Sequence, residues 1–113
     1  MITQMKSPFV SVVIPVYNGE KTILSCLESV FRNNYPNFEV IVCNDCSTDK
    51  TLELLSLIKD SRLEIISLPE NSKTMGSAAR NTGIKIAKGS IILLLDSDTI
   101  VNPDWITLHL MTY

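Results

Sequence analysis

Apolar residues along the chain recur in two alternating patterns, which predict strands separated by helices. Short apolar runs rich in β-branched residues predict four strands, at residues 10–16, 38–43, 63–68 and 90–95. Apolar side chains at helical spacing predict four helices, at about residues 20–33, 47–59, 76–88 and from 102 onward. The predicted order is therefore β-α-β-α-β-α-β-α, without internal repeats.

Residues typical of helix ends lie at several of the predicted boundaries. Ser47 or Asp49 is placed to cap the second helix, and Pro103 stands at the first position of the last one. Gly89 follows the third helix, where glycine commonly ends a helix. These residues support the helix assignments independently of the apolar spacing.

Strands that alternate with helices predict an α/β fold, a parallel sheet with helices on both faces, formed by residues 1–113 as one domain. Ligands of such sheets bind outside the carboxyl ends of the strands. Polar residues gather at these ends: Tyr17 and Asn18 after the first strand, Asp45 after the second, Asp96 and Asp98 after the fourth. The sequence therefore predicts a ligand site at this edge.

The acidic pair Asp96 and Asp98 follows an uninterrupted apolar run, residues 91–95, which we interpret as a strand buried on both faces. Two carboxylates this close repel each other unless a positive charge lies beside them. Mg²⁺ and Mn²⁺ prefer oxygen ligands and share them with phosphates. The pair indicates a metal site for a phosphorylated substrate, the alternative being two loop carboxylates turned to water.

Each of three further residues allows two interpretations, one functional and one purely structural. Asp45 is suited to accept a hydrogen bond from an N–H of a bound base, or to cap the second helix. Tyr17 is suited to stack on a nucleobase, or to pack over the sheet edge. Arg80 follows the small residues Gly76, Ala78 and Ala79, so it can reach a phosphate, or it lies on a solvated helix face.

Charge and cysteine content exclude several classes of protein. The net charge of −2 without a basic run argues against nucleic-acid partners. No apolar run approaches the roughly 20 residues that span a bilayer, and residues 1–7 have no signal-peptide core. Three cysteines, an odd number, favour a reducing compartment. We expect a cytoplasmic protein, with peripheral membrane association left open for a longer chain.

Three further features of the sequence concern individual motifs and the surface. Cys43 and Cys46 form a C-x-x-C, but Cys43 ends a strand and Asp45 lies between the thiols, which disfavours a redox role. There is no G-x-G-x-x-G and no P-loop lysine, which argues against dinucleotide and P-loop folds. The mean hydropathy of +0.20 is high for a small domain, which indicates an apolar face that is normally covered. We expect this apolar surface to be exposed in the isolated chain and to cause self-association.

Four segments, taken together, resemble the family 2 glycosyltransferases with the GT-A fold. They are Ser11 to Asn18, Asn44 to Asp49, Gly76 to Gly83, and Leu95 to Asp98, in the family's order and spacing. The resemblance extends from about Pro8 to the C-terminus. It implies a Rossmann-like sheet of strand order 3-2-1-4 and the N-terminal, donor-binding part of a longer enzyme.

The resemblance implies transfer of a sugar from a nucleotide diphosphate donor, a UDP-sugar, to a sugar, lipid-linked or polysaccharide acceptor. Asp45 would bond the uracil-type base, Asp96 would hold the ribose, and Asp98 would bind the Mn²⁺ or Mg²⁺ that bridges the diphosphate. By matched position, the donor-binding residues are Pro15, Tyr17, Asn18, Asp45, Arg80 and Asp96, and the metal ligand is Asp98.

The chain departs from the family pattern in two respects. Cys46 stands where many relatives have glycine, so the loop after Asp45 loses conformational freedom. Relatives also continue well beyond the metal motif, into the part that binds the acceptor and supplies the catalytic base. The remaining base candidates, Asp104 and His109, follow Asp98 too closely to act across the sugar, so we expect the isolated chain to be inactive.

One other function remains as an alternative, and two others disagree with the residues that follow the first strand. A non-catalytic nucleotide-binding or assembly module would have the same fold and differ only in catalytic competence. Nucleotidyl transfer on a sugar phosphate requires a loop richer in glycine and lysine than the one after the first strand, residues 16–21. A phosphoacceptor receiver domain would carry its acidic pair after the first strand, where this chain has Val16 and Tyr17.

Overall fold

The computed structural model describes residues 7–74 and 76–111, and in them strands and helices alternate as the sequence predicts. The strands are β1 (Val10–Val16), β2 (Phe38–Asn44), β3 (Leu63–Ser67) and β4 (Ile91–Leu94). The helices are α1 (Ile23–Phe31), α2 (Thr51–Leu55), α3 (Ser77–Ile86) and α4 (Trp105–Leu110). No helix in these described ranges has the length and apolar character that a membrane span requires.

The strands form one parallel sheet in the order β3-β2-β1-β4, which confirms the predicted fold and strand order. β1 is central, with Val13 paired to Ile41 of β2 and to Leu94 of β4. The carboxyl ends of β1 and β2 lie side by side, because Val16 pairs with Asn44. The loops that follow β1, β2 and β4 therefore meet at one edge of the sheet.

Helices cover both faces of the sheet. On one face Val12, Ile14 and Val42 pack in a cluster that includes Leu27 of α1 and Ile106 of α4. On the other face the buried cluster combines residues of β1 and β2 with Ala79 of α3. Side chains alternate between the two faces along each strand, and both faces are buried by apolar packing. β1 and β2 are therefore apolar nearly throughout.

Close approach of α3 to the sheet depends on Gly83. A Cβ atom at this position would lie 2.6 Å from Val13 Cγ1 and 2.8 Å from Cys43 Sγ. Both neighbours are fully buried and have little room to move. The absence of a side chain at Gly83 therefore sets the distance between α3 and the sheet, and with it the position of Arg80 above the sheet edge.

The prediction that the strand before the acidic pair is buried on both faces is wrong. In the described residues β4 pairs with β1 alone and lies at the edge of the sheet. Leu94 is 50% exposed, and Ile91 and Ile92 are only partly buried. An apolar run indicates a strand, but it does not indicate how many neighbours the strand has.

Helix ends differ from the predictions in several places, and α4 begins at Trp105, so Pro103 does not occupy its first position. α1 begins at Ile23 rather than near residue 20, and α2 ends at Leu55 rather than near residue 59. Asp49 accepts a hydrogen bond from the N–H of Thr51 at the first position of α2 (2.9 Å), whereas Ser47 bonds elsewhere. Short helices of this kind are held mainly by tertiary packing, so their ends depend on contacts that the local sequence does not specify.

Gly89 does not end α3 as predicted. The helix ends at Ile86, and its C-cap Ala87 has an extended backbone. Gly89 instead lies against β1, where a Cβ atom would come within 2.6 Å of the Ser11 nitrogen and 2.7 Å of the Phe9 oxygen. Glycine is required there because two backbone segments approach closely, not because a helix terminates.

Candidate functional site

A cleft of about 630 Å³ opens at the carboxyl ends of β1, β2 and β4. All seven site residues predicted from the sequence line it, namely Pro15, Tyr17, Asn18, Asp45, Arg80, Asp96 and Asp98. They come from four separate segments of the chain, which the parallel topology brings to one edge of the sheet. The structure therefore unites the predicted residues in a single site.

Asp96 and Asp98 lie on the loop after β4, and both are exposed to the cleft. The Asp96 carbonyl oxygen accepts hydrogen bonds from Thr99 N (3.1 Å) and from the Cys26 thiol of α1 (3.6 Å). Burial raises the pKa of the Cys26 thiol to about 11, so this thiol stays protonated and remains a donor. The backbone of the acidic loop is thus hydrogen-bonded to α1.

The two carboxylates suit a divalent cation that is shared with a ligand. Within residues 7–74 and 76–111, no three His, Cys, Asp or Glu side chains are grouped to hold a metal ion. A complete protein cage is therefore absent from the described part of the chain. In Mg²⁺ or Mn²⁺ sites where phosphates supply other ligands, the protein usually contributes one or two carboxylates. Asp96 and Asp98 therefore fit such a metal.

Asp45 lies on the opposite side of the cleft and is only 4% exposed. Its Oδ1 accepts a hydrogen bond from Ser72 N (2.9 Å), and its Oδ2 accepts one from Ser72 Oγ (2.8 Å). Asn71 Nδ2 donates to the Asp45 carbonyl oxygen (3.1 Å). The carboxylate therefore bonds to the loop after β3 and does not cap α2, the ordinary alternative for this residue.

Asn18 borders the cleft, but its side chain joins two loops. Asn18 Oδ1 accepts hydrogen bonds from Thr48 N (2.7 Å) and Asp49 N (3.3 Å), and Asn18 N donates to Ser47 Oγ (2.9 Å). These bonds tie the loop after β1 to the loop after β2. Tyr17 beside it is 52% exposed, so its ring is available to a ligand rather than packed over the sheet edge.

Two cations line the same cleft as the acidic loop. Arg80, on the first turn of α3, is partly buried and donates to Ser77 Oγ (3.3 Å). Lys73 is exposed on the loop before α3. The ion pairs within the described ranges involve Arg32 and Arg62, so both cleft cations are available to an anion. Arg and Lys side chains form strong charge-assisted hydrogen bonds with phosphate, so a phosphate group suits this part of the cleft.

Several residues of the loop after β3 form a wall of the cleft that the sequence did not indicate. Asn71 and Lys73 line the cleft and Ser72 bonds Asp45, although none of the three is among the residues predicted from the sequence. The position of this loop offered the missing indication, because it follows β3 at the same edge as the loops after β1 and β2. Thr22 and Ser97 also line the cleft.

Left-handed backbone conformations cluster around the cleft. In the described part of the chain, the non-glycine residues with positive φ are Asn18 (52°), Cys46 (57°) and Lys73 (57°). Each lies in a different loop at the carboxyl edge of the sheet. Such conformations are costly for residues with a Cβ and concentrate at functional sites, where the surrounding structure maintains them.

Cys46→Gly is expected to stabilise the protein. Glycine adopts the φ of 57° without the penalty of about 1–2 kcal/mol that other residues incur. Its greater freedom in the unfolded chain offsets part of this gain, so we expect the free energy of unfolding to rise by about 0.5–1 kcal/mol. Urea denaturation measures this, with Cys46→Ala as the control that removes the thiol and keeps the Cβ. Equal stability of the two variants would show that the conformation at residue 46 is not strained.

The first thiol of the C-x-x-C has the properties of a structural cysteine. Cys43 is fully buried in β2, and burial raises the pKa of its thiol to about 11. A redox-active thiol needs the opposite shift and access to solvent. Cys26, Cys43 and Cys46 are all free thiols in the structure.

The sequence model of the family described as glycosyl transferase family 2 matches residues 11–112 of this chain. Among curated proteins, the UDP-Glc:alpha-D-GlcNAc-diphosphoundecaprenol beta-1,3-glucosyltransferase WfaP of Escherichia coli is 43% identical over 98 residues, which cover 87% of this chain and 37% of that protein. The poly(ribitol-phosphate) beta-N-acetylglucosaminyltransferase TarS of Staphylococcus aureus is 38% identical over 97 residues, 83% of this chain and 17% of TarS. The chain thus spans well under half the length of these relatives.

Solved structures agree with the sequence matches. The structure of Staphylococcus aureus TarS 1-349 in complex with UDP-GlcNAc superposes with a TM-score of 0.83 at 35% identity, over 91% of this chain and 30% of that one. A mannosyltransferase from Pyrobaculum calidifontis, in complex with GDP-Man and Mn²⁺, superposes with a TM-score of 0.75 at 28% identity, over 83% of this chain and 28% of that one. With its sheet order and its nearly end-to-end match to the family model, this chain belongs to glycosyl transferase family 2.

Proposed function

We propose that this chain binds the donor of a metal-dependent glycosyltransferase and that the donor is a UDP-sugar. The observation that carries the proposal is the cleft itself, which is lined both by an exposed acidic pair and by two available cations. A nucleoside diphosphate bound with a divalent cation complements both groups, since the cation suits the acidic pair and the phosphates suit the two basic side chains. The similarity to a UDP-Glc-dependent enzyme and to TarS with UDP-GlcNAc supports uridine as the nucleoside.

In the proposed mode of binding, the base lies between the exposed ring of Tyr17 and the Asp45 carboxylate, with Pro15 beside it. Asp96 accepts hydrogen bonds from the ribose hydroxyls, and Asp98 holds Mn²⁺ or Mg²⁺. Such a cation, when bound, supplies electrostatic stabilisation of the charge that develops on a departing diphosphate. Arg80 adds a fixed positive charge to the same group from the opposite wall.

We propose that neither the general base nor the acceptor site is formed by residues 1–113. The carboxylates that line the cleft are Asp45, Asp96 and Asp98, and all three are assigned to the donor or the metal. The remaining candidates, Asp104 and His109, do not line the cleft. A base must reach the attacking hydroxyl directly or through one water. We therefore propose that residues 1–113 bind the donor without transferring sugar, and that the acceptor is lipid-linked or a polysaccharide.

Calorimetric titration of the chain with UDP, with and without Mn²⁺, tests the proposal. We expect UDP to bind in the presence of Mn²⁺ and to lose at least about tenfold in affinity in a chelator, since the metal neutralises the diphosphate beside Asp96 and Asp98. ADP is the control for the base, and uridine is the control for the diphosphate. Binding of UDP that is absent, or equally tight without any metal, would contradict the proposed function.

The non-catalytic alternative predicts the same binding, so it requires a different measurement. Sugar transfer from UDP-sugars by a longer form of the protein that includes the acceptor part would exclude the non-catalytic alternative.

Light scattering on the samples used for calorimetry reports the self-association expected from exposed apolar side chains such as Leu57 and Ile100.

A further inference from the structure

The loop after β3 holds the carboxylate of Asp45 by both of its oxygens. Ser72 N donates to Oδ1 (2.9 Å) and Ser72 Oγ donates to Oδ2 (2.8 Å), so one residue fixes the plane of the carboxylate. Asn71 reinforces the contact through its bond to the Asp45 carbonyl oxygen (3.1 Å). A carboxylate held at two points cannot rotate about its Cβ–Cγ bond without losing both hydrogen bonds.

The same serine is connected to the helix that carries Arg80. Ser72 Oγ lies 2.8 Å from Thr74 Oγ1, and Thr74 Oγ1 accepts a hydrogen bond from Ala78 N on the first turn of α3 (2.9 Å). Asn71 Oδ1 accepts from Lys73 N (2.9 Å), which supports the left-handed backbone of that residue. The contact at Asp45 is thus part of a hydrogen-bonded loop and not an isolated pair.

We propose that Ser72 is a positioning residue that orients the Asp45 carboxylate and thereby sets the base selectivity of the donor cleft. The proposal rests on the proposed function, since it requires a base to be recognised at Asp45. It adds a residue outside the segments that resemble the family, in a loop that follows β3.

The hydrogen-bonding capacity of a carboxylate explains why Ser72 supports recognition instead of blocking it. The two oxygens offer about four acceptor sites, of which Ser72 uses two. Each oxygen therefore keeps a site for the N–H of a base, and Asp45 still borders the cleft. A group that is already held in the binding geometry loses little entropy when the ligand arrives. A base without an N–H at that position leaves the buried carboxylate without this partner, which is the source of discrimination.

The test compares Ser72→Ala with Ser72→Thr, using the ratio of UDP to ADP dissociation constants measured by calorimetry in Mn²⁺. Ser72→Ala removes the hydroxyl donor, so we expect the preference for UDP to fall by roughly tenfold, as for a hydrogen bond to a charged group. Ser72→Thr keeps a hydroxyl and is expected to retain the wild-type ratio. Ser56→Ala, a serine-to-alanine change on the exposed end of α2, is the matched control.

The outcomes separate this inference from the proposed function. A wild-type chain that binds UDP and ADP equally would overturn the proposed donor class and this inference with it. A wild-type chain that prefers UDP, beside a Ser72→Ala variant with the same preference, would overturn the inference alone. Equal loss of affinity for both nucleotides in Ser72→Ala would also overturn it, because Ser72 would then shape the loop without orienting Asp45.

Discussion

Asp98→Asn is expected to abolish the Mn²⁺ dependence of UDP binding while leaving the fold intact. The amide keeps the shape of the side chain but removes the charge that a hard divalent cation requires. Even indirect partners of a metal ligand change metal affinity by about 10–100-fold, so we expect at least that loss of UDP affinity in Mn²⁺. Because Asp98 is exposed, its replacement removes no buried contact. Calorimetry with and without Mn²⁺ measures the effect, and circular dichroism checks the fold.

Asp104→Asn is the matched control for this experiment. Asp104 lies six positions after Asp98, is exposed, and does not line the cleft. The same change of charge at this position should leave the Mn²⁺ response as in the wild type. If Asp98→Asn still binds UDP as tightly as the wild type when Mn²⁺ is present, Asp98 is not the metal ligand.

Asp45→Ala is expected to remove the preference for UDP over ADP. A site that hydrogen-bonds a polar group of its ligand rejects analogues that lack it, because the buried group of the protein then loses that one hydrogen bond. A charged hydrogen bond contributes about 1.5–3 kcal/mol, so the preference should fall by roughly tenfold to hundredfold. The variant also loses both bonds to Ser72, so its folded fraction should be measured beside the titration.

Two further variants sharpen the assignment of Asp45. Asp45→Asn keeps the shape and one oxygen acceptor but presents an amide donor in place of the other, so it should also lose selectivity. Glu53→Ala removes a carboxylate from the exposed side of α2 and should retain the wild-type preference. An Asp45→Ala variant that still discriminates against ADP would show that the base is recognised elsewhere in the cleft.

The positions of the site residues followed from the sequence because parallel topology is so restrictive. Once strands alternate with helices, every loop that follows a strand must lie at the same edge. Tyr17, Asp45 and Asp98 could therefore be grouped without knowledge of any contact between them. What they contact could not be predicted, because the partners belong to loops whose shapes depend on tertiary packing.

Asn18 and Asp45 illustrate the difference. Both lie at the predicted edge, yet Asn18 proves to link two loops through Thr48, and Asp45 proves to be held by Ser72. Neither contact is local in sequence, since the residues lie about 30 positions apart. Sequence periodicity carries no information about such pairs, which form only when the strands have taken their order in the sheet.

The fold class, the element order and seven of the residues that line the cleft were predicted from the sequence alone, because apolar periodicity and strand–helix alternation are properties of neighbouring residues. The tertiary structure decided the rest. It made β4 an edge strand with Leu94 half exposed, moved Gly89 from a helix end to a contact with β1, and shortened α2 to Thr51–Leu55. In each case the deciding term is packing between segments distant in sequence, and its energy depends on partners that no local pattern identifies.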